Sequence, residues 1–342
     1  MAGLRAQLAA HAAALGFEAE AVPVRAAGST LWALPAFGVA LLAAALPQLA
    51  FLPDPSAPPL AALAALLGVV GSGAGLAAAI GAGLPPFRWD LRDDATLVLR
   101  RPSASPRRWV VAHLDSKGQG HSMAGRLVAV WAIVVALLAS LGAGVGRAVA
   151  GPLPVSAAAL VAGLLATAGA LCLRGRPMRG SPGARDNASG VVALLGALPA
   201  LPPGTGAIVT AAEELGLVGA RMLARARPAL VRGAEVVNLD TLDDAGPAWL
   251  VHHDAAGAAL AARLAPALSR ALGMPVRSRR LPAGILVDSQ PLAAAGAAAV
   301  TLARLDWRTL ARIHTHRDSP EGFALATARA VGEALPAALT RP

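Results

Sequence analysis

The apolar positions of this chain follow two different patterns. In the first, long stretches are apolar throughout and contain no charged residue; they cover residues 31–52, 59–84, 127–146 and 155–173. Each is long enough to cross a bilayer, which takes about 20 apolar residues. Short proline-containing breaks, LPDPSAPP and GPLP, separate the first stretch from the second and the third from the fourth. This pattern predicts two transmembrane helical hairpins.

Two other interpretations of these stretches are weaker. A single stretch could be a buried helix of an alanine-rich soluble protein, but four of this length argue against that interpretation. A cleaved signal peptide also fits poorly, because Glu18 and Glu20 precede the first stretch and the stretch is too long for the apolar part of a signal.

The second pattern, outside the hairpins, alternates short β-branched runs with helical stretches. We predict strands at 95–101, 108–115, 206–214, 234–242 and 296–304. We predict helices at 187–198, 216–226, 255–273 and 323–335. Strands that alternate with amphipathic helices indicate an α/β fold, here a mixed sheet wrapped by helices.

Composition supports a membrane protein. The chain of 342 residues is 56% hydrophobic and 15% charged, with a mean hydropathy of +0.57, whereas soluble domains carry about 25% charged residues. The net charge of +10 could suit nucleic acid, but aromatic residues make up only 3% and the arginines are dispersed. We therefore expect a lipid bilayer, with anionic lipid, and no nucleic acid as partner. The single cysteine, Cys172, excludes a disulfide framework.

The charges flanking the apolar stretches predict an orientation. Arg147 is the only arginine on one side of the hairpins; the other side carries Arg25, Arg88, Arg92, Arg126, Arg174, Arg176 and Arg179. The positive-inside rule then places the N-terminus and everything after residue 173 in the cytoplasm. We expect a multi-pass protein of the plasma (inner) membrane whose soluble domain is cytoplasmic.

The domain organisation follows from these boundaries. We predict an N-terminal cytoplasmic segment (1–30), a first transmembrane hairpin (31–84) and the first part of a soluble domain (85–126). A second hairpin (127–173) is inserted into that domain, whose remainder covers 174–342.

Acidic residues are scarce, and several stand where predicted strands end. The chain has only 20 Asp and Glu, and between Asp94 and Glu213 the only acids are Asp115 and Asp186. Ligands of α/β sheets bind at the carboxyl ends of strands. His113, Asp115, the Glu213–Glu214 doublet and Asp240 stand at or near such ends.

Two imidazoles and three carboxylates make a ligand set suited to zinc; they are His113, Asp186, Glu214, Asp240 and His314. Five ligands exceed the needs of one tetrahedral ion but suit two ions if one carboxylate bridges them. Glu213 then remains free as a general base.

Five short motifs occur in a fixed order: AHLDS (112–116), GARDNASG (183–190), AEELGLVG (212–219), NLD (238–240) and IHTHRDSPE (313–321). Together they resemble the signatures of the co-catalytic di-zinc aminopeptidases, peptidase family M28 of clan MH. The resemblance covers residues 95–335 apart from the second hairpin. It implies the α/β zinc-aminopeptidase fold, of phosphorylase/hydrolase type, and a peptide substrate with a free N-terminus.

The resemblance also implies a role for each residue. His113 and Asp240 would bind one zinc, Glu214 and His314 would bind the other, and Asp186 would bridge the two. Glu213 would be the catalytic base. Asp115 would orient the His113 imidazole or its neighbours. Asp288 falls near a further acid of the family, and we assign it no role.

The chain departs from the family pattern in two ways. The second hairpin lies between His113 and Asp186, which are normally about a dozen residues apart. Some family members have a tyrosine before the last histidine ligand to stabilise the oxyanion, and Ile313 takes that position here. Zinc itself, a backbone N–H or a nearby histidine would have to perform that task, and His316 and His121 are candidates by their proximity to the motifs.

Several residues near the motifs also have a simpler interpretation. Alone, GARDNASG fits a turn with a helix cap, AEELG a helix start, and HTHRDSPE a surface loop capped by Asp318 or Ser319. Asp243 and Asp244 fit a solvated turn. His252 and His253 fit a partly exposed strand end.

Taken together, the sequence predicts a membrane-bound zinc metallopeptidase, in particular an aminopeptidase that uses two zinc ions. One alternative is another amide hydrolase or a glutaminyl-cyclase-like enzyme on the same site. Another is a non-catalytic membrane scaffold or transporter component that retains the domain. The sequence predicts no oligomeric state.

Overall fold

The computed structural model describes residues 2–82, 84–102, 104–282 and 285–340. Position 83, in the predicted second apolar stretch, and positions 103, 283, 284, 341 and 342, in the predicted soluble domain, lie outside the described residues. The chain forms two compact units. The sheet unit comprises residues 1–28, 90–117 and 180–342, and the helical unit comprises 29–89 and 118–179.

Helices and strands are interspersed along the chain. The helices are α1 (Ala2–Ala14), α2 (Ala33–Phe51), α3 (Ala61–Gly81), α4 (Met123–Ala150), α5 (Val155–Arg174), α6 (Ser189–Ala197), α7 (Val218–Ala226), α8 (Pro228–Val231), α9 (Ala255–Leu272), α10 (Ser289–Ala294), α11 (Trp307–Leu310) and α12 (Ala326–Thr340). The strands are β1 (Glu18–Ala27), β2 (Leu91–Arg100), β3 (Arg108–His113), β4 (Gly118–Gln119), β5 (Pro177–Met178), β6 (Thr205–Thr210), β7 (Glu235–Leu242), β8 (Ala248–His252), β9 (Val276–Arg280) and β10 (Ala298–Arg304). The five predicted strands correspond to β2, β3, β6, β7 and β10.

Eight of these strands form one mixed sheet in the order β1-β2-β6-β3-β7-β10-β8-β9. The central strands β6, β3, β7 and β10 are parallel to their neighbours within that group. The pairs β1–β2, β2–β6 and β10–β8 are antiparallel, and β8–β9 is parallel. The predicted fold class, a mixed sheet wrapped by helices, is confirmed.

Helices cover both faces of this sheet. Successive side chains of a strand point to opposite faces, so each strand contributes to the packing on both. Helices α1, α6, α9 and α12 pack on the face that carries Leu99 and Val110. Helices α7, α8 and α10 pack on the face that carries Val98, Trp109 and Ile208. Burial on both faces explains why the central strands are almost continuously apolar rather than alternating.

The first 28 residues belong to the sheet unit and do not form a segment of their own. β1 pairs along its whole length with β2, from Glu18 opposite Arg100 to Ala27 opposite Leu91. Leu8 and Ala12 of α1 are buried in the same core as α6 and α12. The domain therefore begins before the first apolar helix, which interrupts it.

The helical unit contains α2–α5, which correspond to the four apolar stretches. All four helices are long and apolar enough to cross a membrane. Helices α2 and α5 approach closely at two glycines, since a Cβ on Gly38 would lie 2.7 Å from the carbonyl oxygen of Gly169. Small residues at such crossings are typical of helices packed in a membrane.

Two buried polar side chains of the helical unit donate hydrogen bonds to backbone carbonyls. Gln48 is fully buried and donates to Ala62 O at 2.9 Å. Arg147 donates to the carbonyls of Asp54 and Ala57, each at 2.9 Å. Arg147 thus closes the loop between α2 and α3.

The outward surface of these helices is apolar. Large side chains such as Leu46 (70% exposed), Trp131 (68%) and Val149 (84%) protrude from it. An apolar surface of this extent is typical of contact with lipid or a partner.

One expectation concerns the core of the sheet unit. Leu264 is fully buried and lies between Leu260 and Leu268 on the inward stripe of α9. We expect Leu264→Ala to lower the free energy of unfolding by about 2–5 kcal/mol, through lost burial and the cavity it leaves. Thermal unfolding in detergent measures the effect. Leu4→Ala, at a side chain 46% exposed, is the control, and an equal shift in both variants would contradict this packing.

Candidate metal centre

The site lies where parallel strands end. β6, β3 and β7 are adjacent and parallel, so their carboxyl ends meet at one edge of the sheet. His113 is the last residue of β3, and Asp240 lies two residues before the end of β7. The Glu213–Glu214 doublet follows β6 by three residues.

Two further segments bring the remaining ligand candidates to this edge. Asp186 lies in an irregular turn, Ala184–Ala188, that leads into α6. Asn187 joins that turn to β7, since its side chain donates to Leu239 O at 2.8 Å and accepts from Thr241 N at 3.2 Å. His314 follows α11.

These residues form two groups that share Asp186. His113, Asp186 and Asp240 form the first group, and Asp186, Glu214 and His314 form the second; in each, the potential ligand atoms lie within 4.8 Å of one another. His113 Nε2 is 3.1 Å from Asp186 Oδ1 and 3.8 Å from Asp240 Oδ1. His314 Nε2 is 3.2 Å from Asp186 Oδ2 and 3.5 Å from Glu214 Oε1. The two oxygens of Asp186 therefore face different histidines.

The burial of these groups fits a metal ion. All five residues are buried, with exposures between 1% and 8%. Among the described residues, His113 Nε2 and Glu214 Oε1 are buried atoms without a hydrogen-bond partner. Buried polar atoms are normally paired, because an unpaired one costs free energy. A cation at each group would supply the missing partner.

The charges of the site also favour a cation. Burial lowers the pKa of His113, but Glu213, Asp186 and Asp240 outweigh burial and hold it well above its ordinary value. Burial raises the pKa of Asp186, but the adjacent imidazoles of His113 and His314 lower it overall. Excess negative charge thus surrounds the two imidazoles.

Asp115 holds the Glu213–Glu214 doublet through the backbone. Its carboxylate accepts the N–H of Glu213 at 3.0 Å and the N–H of Glu214 at 3.1 Å. Its own carbonyl oxygen lies 3.0 Å from His113 Nδ1, which leaves Nε2 directed at the first group. Asp115 therefore orients His113, at the end of β3, and the doublet that follows β6.

Glu213 and Asp288 are buried acids beside the two groups. Burial raises the pKa of Glu213 well above its ordinary value; Glu214, Asp288 and Asp240 add to this and His113 opposes it. Burial likewise raises the pKa of Asp288, to about 7, although Thr210 donates a hydrogen bond to its carboxylate.

Backbone strain is concentrated at the site. Ala212, Thr241 and His314 have φ of 54°, 56° and 68°, a left-handed conformation that is uncommon for residues with a Cβ. Ala212 precedes the doublet, Thr241 follows Asp240, and His314 is itself a ligand candidate. Strain of this kind persists where the surrounding packing enforces it, often at functional sites.

A buried ionic cluster that sequence reasoning missed supports Asp186; we call Arg185, Asp243 and Asp318 the support cluster. Asp318 accepts the backbone N–H of Arg185 at 2.8 Å and of Asp186 at 3.2 Å. Arg185 Nε donates to Asp243 Oδ1 at 3.1 Å, and Thr309 donates to Asp243 Oδ2 at 2.7 Å. The cluster joins the Asp186 turn, the end of β7 and the His314 loop.

The support cluster corrects two simpler interpretations. Asp243 is 4% exposed and Asp318 is fully buried, so Asp243 is not solvated and Asp318 is a buried residue within its loop. The sequence contained one signal for this burial. Acids are scarce in this chain, so an acid close to the motifs is expected to have a specific partner.

The two histidines considered for the oxyanion differ in their surroundings. His316 is exposed, and His121 belongs to the helical unit. Ile313 is buried with 4% exposure. Lys117, which sequence reasoning did not single out, lies 2.5 Å from Glu214 Oε2.

Comparison with protein families identifies the class. The model of Peptidase family M28 matches residues 166–339, just over half of the chain. The chain therefore belongs to peptidase family M28, a family of zinc metallopeptidases. The matched region includes Asp186, Glu213, Glu214, Asp240 and His314 and begins after His113 and Asp115.

Solved structures of similar shape include two aminopeptidases and a cyclase. The LapA aminopeptidase of Legionella pneumophila is 18% identical, with a TM-score of 0.46, over 72% of this chain and 54% of its own. BSAP, a zinc aminopeptidase from Bacillus subtilis, is 18% identical, with a TM-score of 0.46, over 73% and 52%. This chain thus spans about half the length of both.

The glutaminyl cyclase of Bacteroides thetaiotaomicron, solved with N-acetylhistamine bound, is 15% identical, with a TM-score of 0.48, over 87% of this chain and 96% of its own. No curated protein sequence matches the chain.

The support cluster can be tested directly. Asp318→Ala removes the acceptor of two backbone N–H groups, so we expect Asp186 to lose its orientation. We expect the affinity for zinc to fall about 10–100-fold, as when outer contacts of metal ligands are removed. Asp318→Asn keeps one acceptor oxygen, so its affinity for zinc should lie between those of wild type and Asp318→Ala.

Equilibrium zinc titration of the purified protein measures the effect. Glu321→Ala is the matched control, because Glu321 is an exposed acid three residues further on. Wild-type affinity in Asp318→Ala would show that the cluster does not orient Asp186.

Proposed function

We propose that the protein is a membrane-bound aminopeptidase that uses two zinc ions to hydrolyse the N-terminal peptide bond of its substrate. The main support for this proposal is the position of the Asp186 carboxylate. One of its oxygens lies 3.1 Å from His113 Nε2, and the other lies 3.2 Å from His314 Nε2. A carboxylate shared in this way suits a pair of metals.

Each of the two groups of ligand candidates would hold one zinc ion. His113 and Asp240 would hold one zinc, Glu214 and His314 would hold the other, and Asp186 would contact both. Nitrogen and carboxylate oxygen ligands suit zinc. When bound, zinc supplies Lewis-acid polarisation of a carbonyl and acidification of a water molecule.

Glu213 would move the proton. It is adjacent to Glu214, and Asp115 fixes the backbone of both residues. Burial and the neighbouring carboxylates raise the pKa of Glu213, which brings a carboxylate closer to the working range of a general base. Glu213 would accept the proton of the attacking water and pass it to the leaving amine.

The charge of the site favours a substrate with a free amine. Asp115, Glu213 and Asp288 are acids beyond the proposed ligands, and all three lie close enough to affect the titration of others in the site. A cationic N-terminus would be attracted to this surplus of carboxylates. Acetylation removes that positive charge.

The helical unit would anchor the enzyme. Its four helices are long and apolar enough to span a bilayer, and large apolar side chains cover their outward surface. The excess of arginines at one end of the hairpins supports a cytoplasmic sheet unit.

The first test is metal content. We expect wild-type protein to bind about two equivalents of zinc, as a co-catalytic site requires. Asp186→Ala should lose both ions because each group includes Asp186, whereas His113→Ala or His314→Ala should weaken chiefly one. Elemental analysis after dialysis measures the ratio, with the exposed acid variant Glu333→Ala as control. Full zinc retention in Asp186→Ala would refute the shared-ligand arrangement.

The second test separates the two glutamates. Glu213→Gln keeps the shape but cannot accept a proton, so we expect retained zinc and a kcat lower by about 10²–10⁴. Glu214→Gln should instead weaken one zinc, with activity partly restored at high zinc concentration. Hydrolysis of aminoacyl reporter amides, together with zinc content, measures both.

An N-acetylated reporter is the substrate control and should be cleaved much more slowly. Equal cleavage of both reporters would favour another amide hydrolase, and cyclisation of an N-terminal glutamine would favour a cyclase. The scaffold interpretation would be favoured by two results together. Fully metallated wild-type protein would cleave no reporter, and Glu213→Gln would bind its partners as the wild type does.

The third test is topology. The native thiol of Cys172 is buried, so new cysteines can be labelled against a low background. We expect a membrane-impermeant maleimide to label Ser56→Cys, in the loop between α2 and α3, in intact cells. We expect Glu321→Cys, in the sheet unit, to react only after lysis. Labelling of Glu321→Cys in intact cells would place the active site outside.

A further inference from the structure

Lys117 contacts the second metal group directly. Its Nζ lies 2.5 Å from Glu214 Oε2, and the two side chains are only 8% and 4% exposed. The other oxygen of Glu214, Oε1, faces His314 Nε2 at 3.5 Å. One oxygen of the Glu214 carboxylate therefore contacts an ammonium group, and the other faces the proposed metal site.

The first group has a different environment. The charged partner of Asp240 there is His113, at 3.8 Å. Asp240 Oδ1 also accepts a hydrogen bond from the neutral hydroxyl of Thr241 at 2.9 Å. Lys117 thus makes the two groups electrostatically unequal, although each has one histidine, one carboxylate of its own and Asp186.

We infer that Lys117 is a positioning residue that leaves Glu214 one oxygen for metal and offsets its charge. The ion held by Asp186, Glu214 and His314 is consequently the weaker and more readily exchanged of the two. This inference rests on the proposed two-zinc site and adds which ion is loosely held, and why.

The sign of the effect follows from the geometry. A cation that contacts Glu214 repels a metal ion on the same carboxylate, and repulsion between poorly solvated charges is strong. The orientation of Glu214 does not depend on Lys117 alone, because Asp115 holds its backbone N–H at 3.1 Å and its side chain is buried. Removal of the ammonium should therefore tighten metal binding, whereas loss of a purely structural contact would weaken it.

Zinc titration of the metal-free, full-length protein in detergent, in competition with a chromogenic chelator, tests the inference. Wild type should take up zinc in two steps. Lys117→Met keeps the length of the stem without its charge, and we expect its second step to tighten by about tenfold or more, because the repulsion between the ammonium group and a poorly solvated metal ion is removed. The first step should stay unchanged, and Lys117→Arg, which restores the charge, should titrate like wild type.

A double variant shows whether Lys117 acts through Glu214. In a Glu214→Gln background, Lys117→Met should change the zinc affinity of the weakened second step by a different factor than it does in wild type, because the effects of coupled residues are non-additive. An equal factor in both backgrounds would show that Lys117 does not act through Glu214. Thermal unfolding of each metal-free variant verifies that it is folded, and Lys117→Gln replaces Lys117→Met if that variant does not fold.

A second step that is unchanged or weaker in the uncharged variant overturns the inference, as does equal tightening of both steps or tightening in Lys117→Arg. These outcomes differ from a failure of the proposed function, in which wild-type protein itself would not bind two zinc ions.

Discussion

The site depends on the position of one carboxylate. Asp186 must present one oxygen to His113 and the other to His314, at 3.1 and 3.2 Å. Its backbone N–H is held by Asp318, which also accepts the N–H of Arg185. Because Asp318 lies four residues after His314, the same loop supplies one ligand candidate and positions another. The rest of the site is arranged around this connection.

Charge balance is the second constraint. Carboxylates are costly to bury unless they are paired, and this edge of the sheet buries many of them. Arg185 offsets Asp243 and Asp318, Lys117 offsets Glu214, and the histidines offset Asp186. Backbone N–H groups stabilise Asp115. Glu213 and Asp288 remain as buried acids beside the proposed ligands, and burial raises the pKa of both.

The helical unit interrupts the sheet unit without separating the parts of the site. The chain leaves the sheet unit after Lys117 and returns at Gly180, and the hydroxyl of Ser116 donates to Ser181 O at 3.3 Å. The two ends of the insertion are therefore joined within the sheet unit. Long insertions are tolerated at such positions, because the entropy of closing a loop grows slowly with its length. Lys117 and the Asp186 turn lie next to these ends.

The sequence by itself determined the elements whose patterns are local. Charge-free runs identified the four long helices, apolar β-branched runs identified the central strands, and the order of the motifs identified the family. The sequence did not reveal β1, β8 and β9, because buried residues make up only four of ten in β1, two of five in β8 and one of five in β9. It also did not reveal β4 and β5, which are only two residues long. The tertiary structure alone decided that residues 1–28 join the sheet, that Asp243 and Asp318 are buried, and that Lys117 contacts Glu214. Each depends on contacts between residues far apart in the chain, or on which side of a loop faces the core, and no local pattern of residues encodes either.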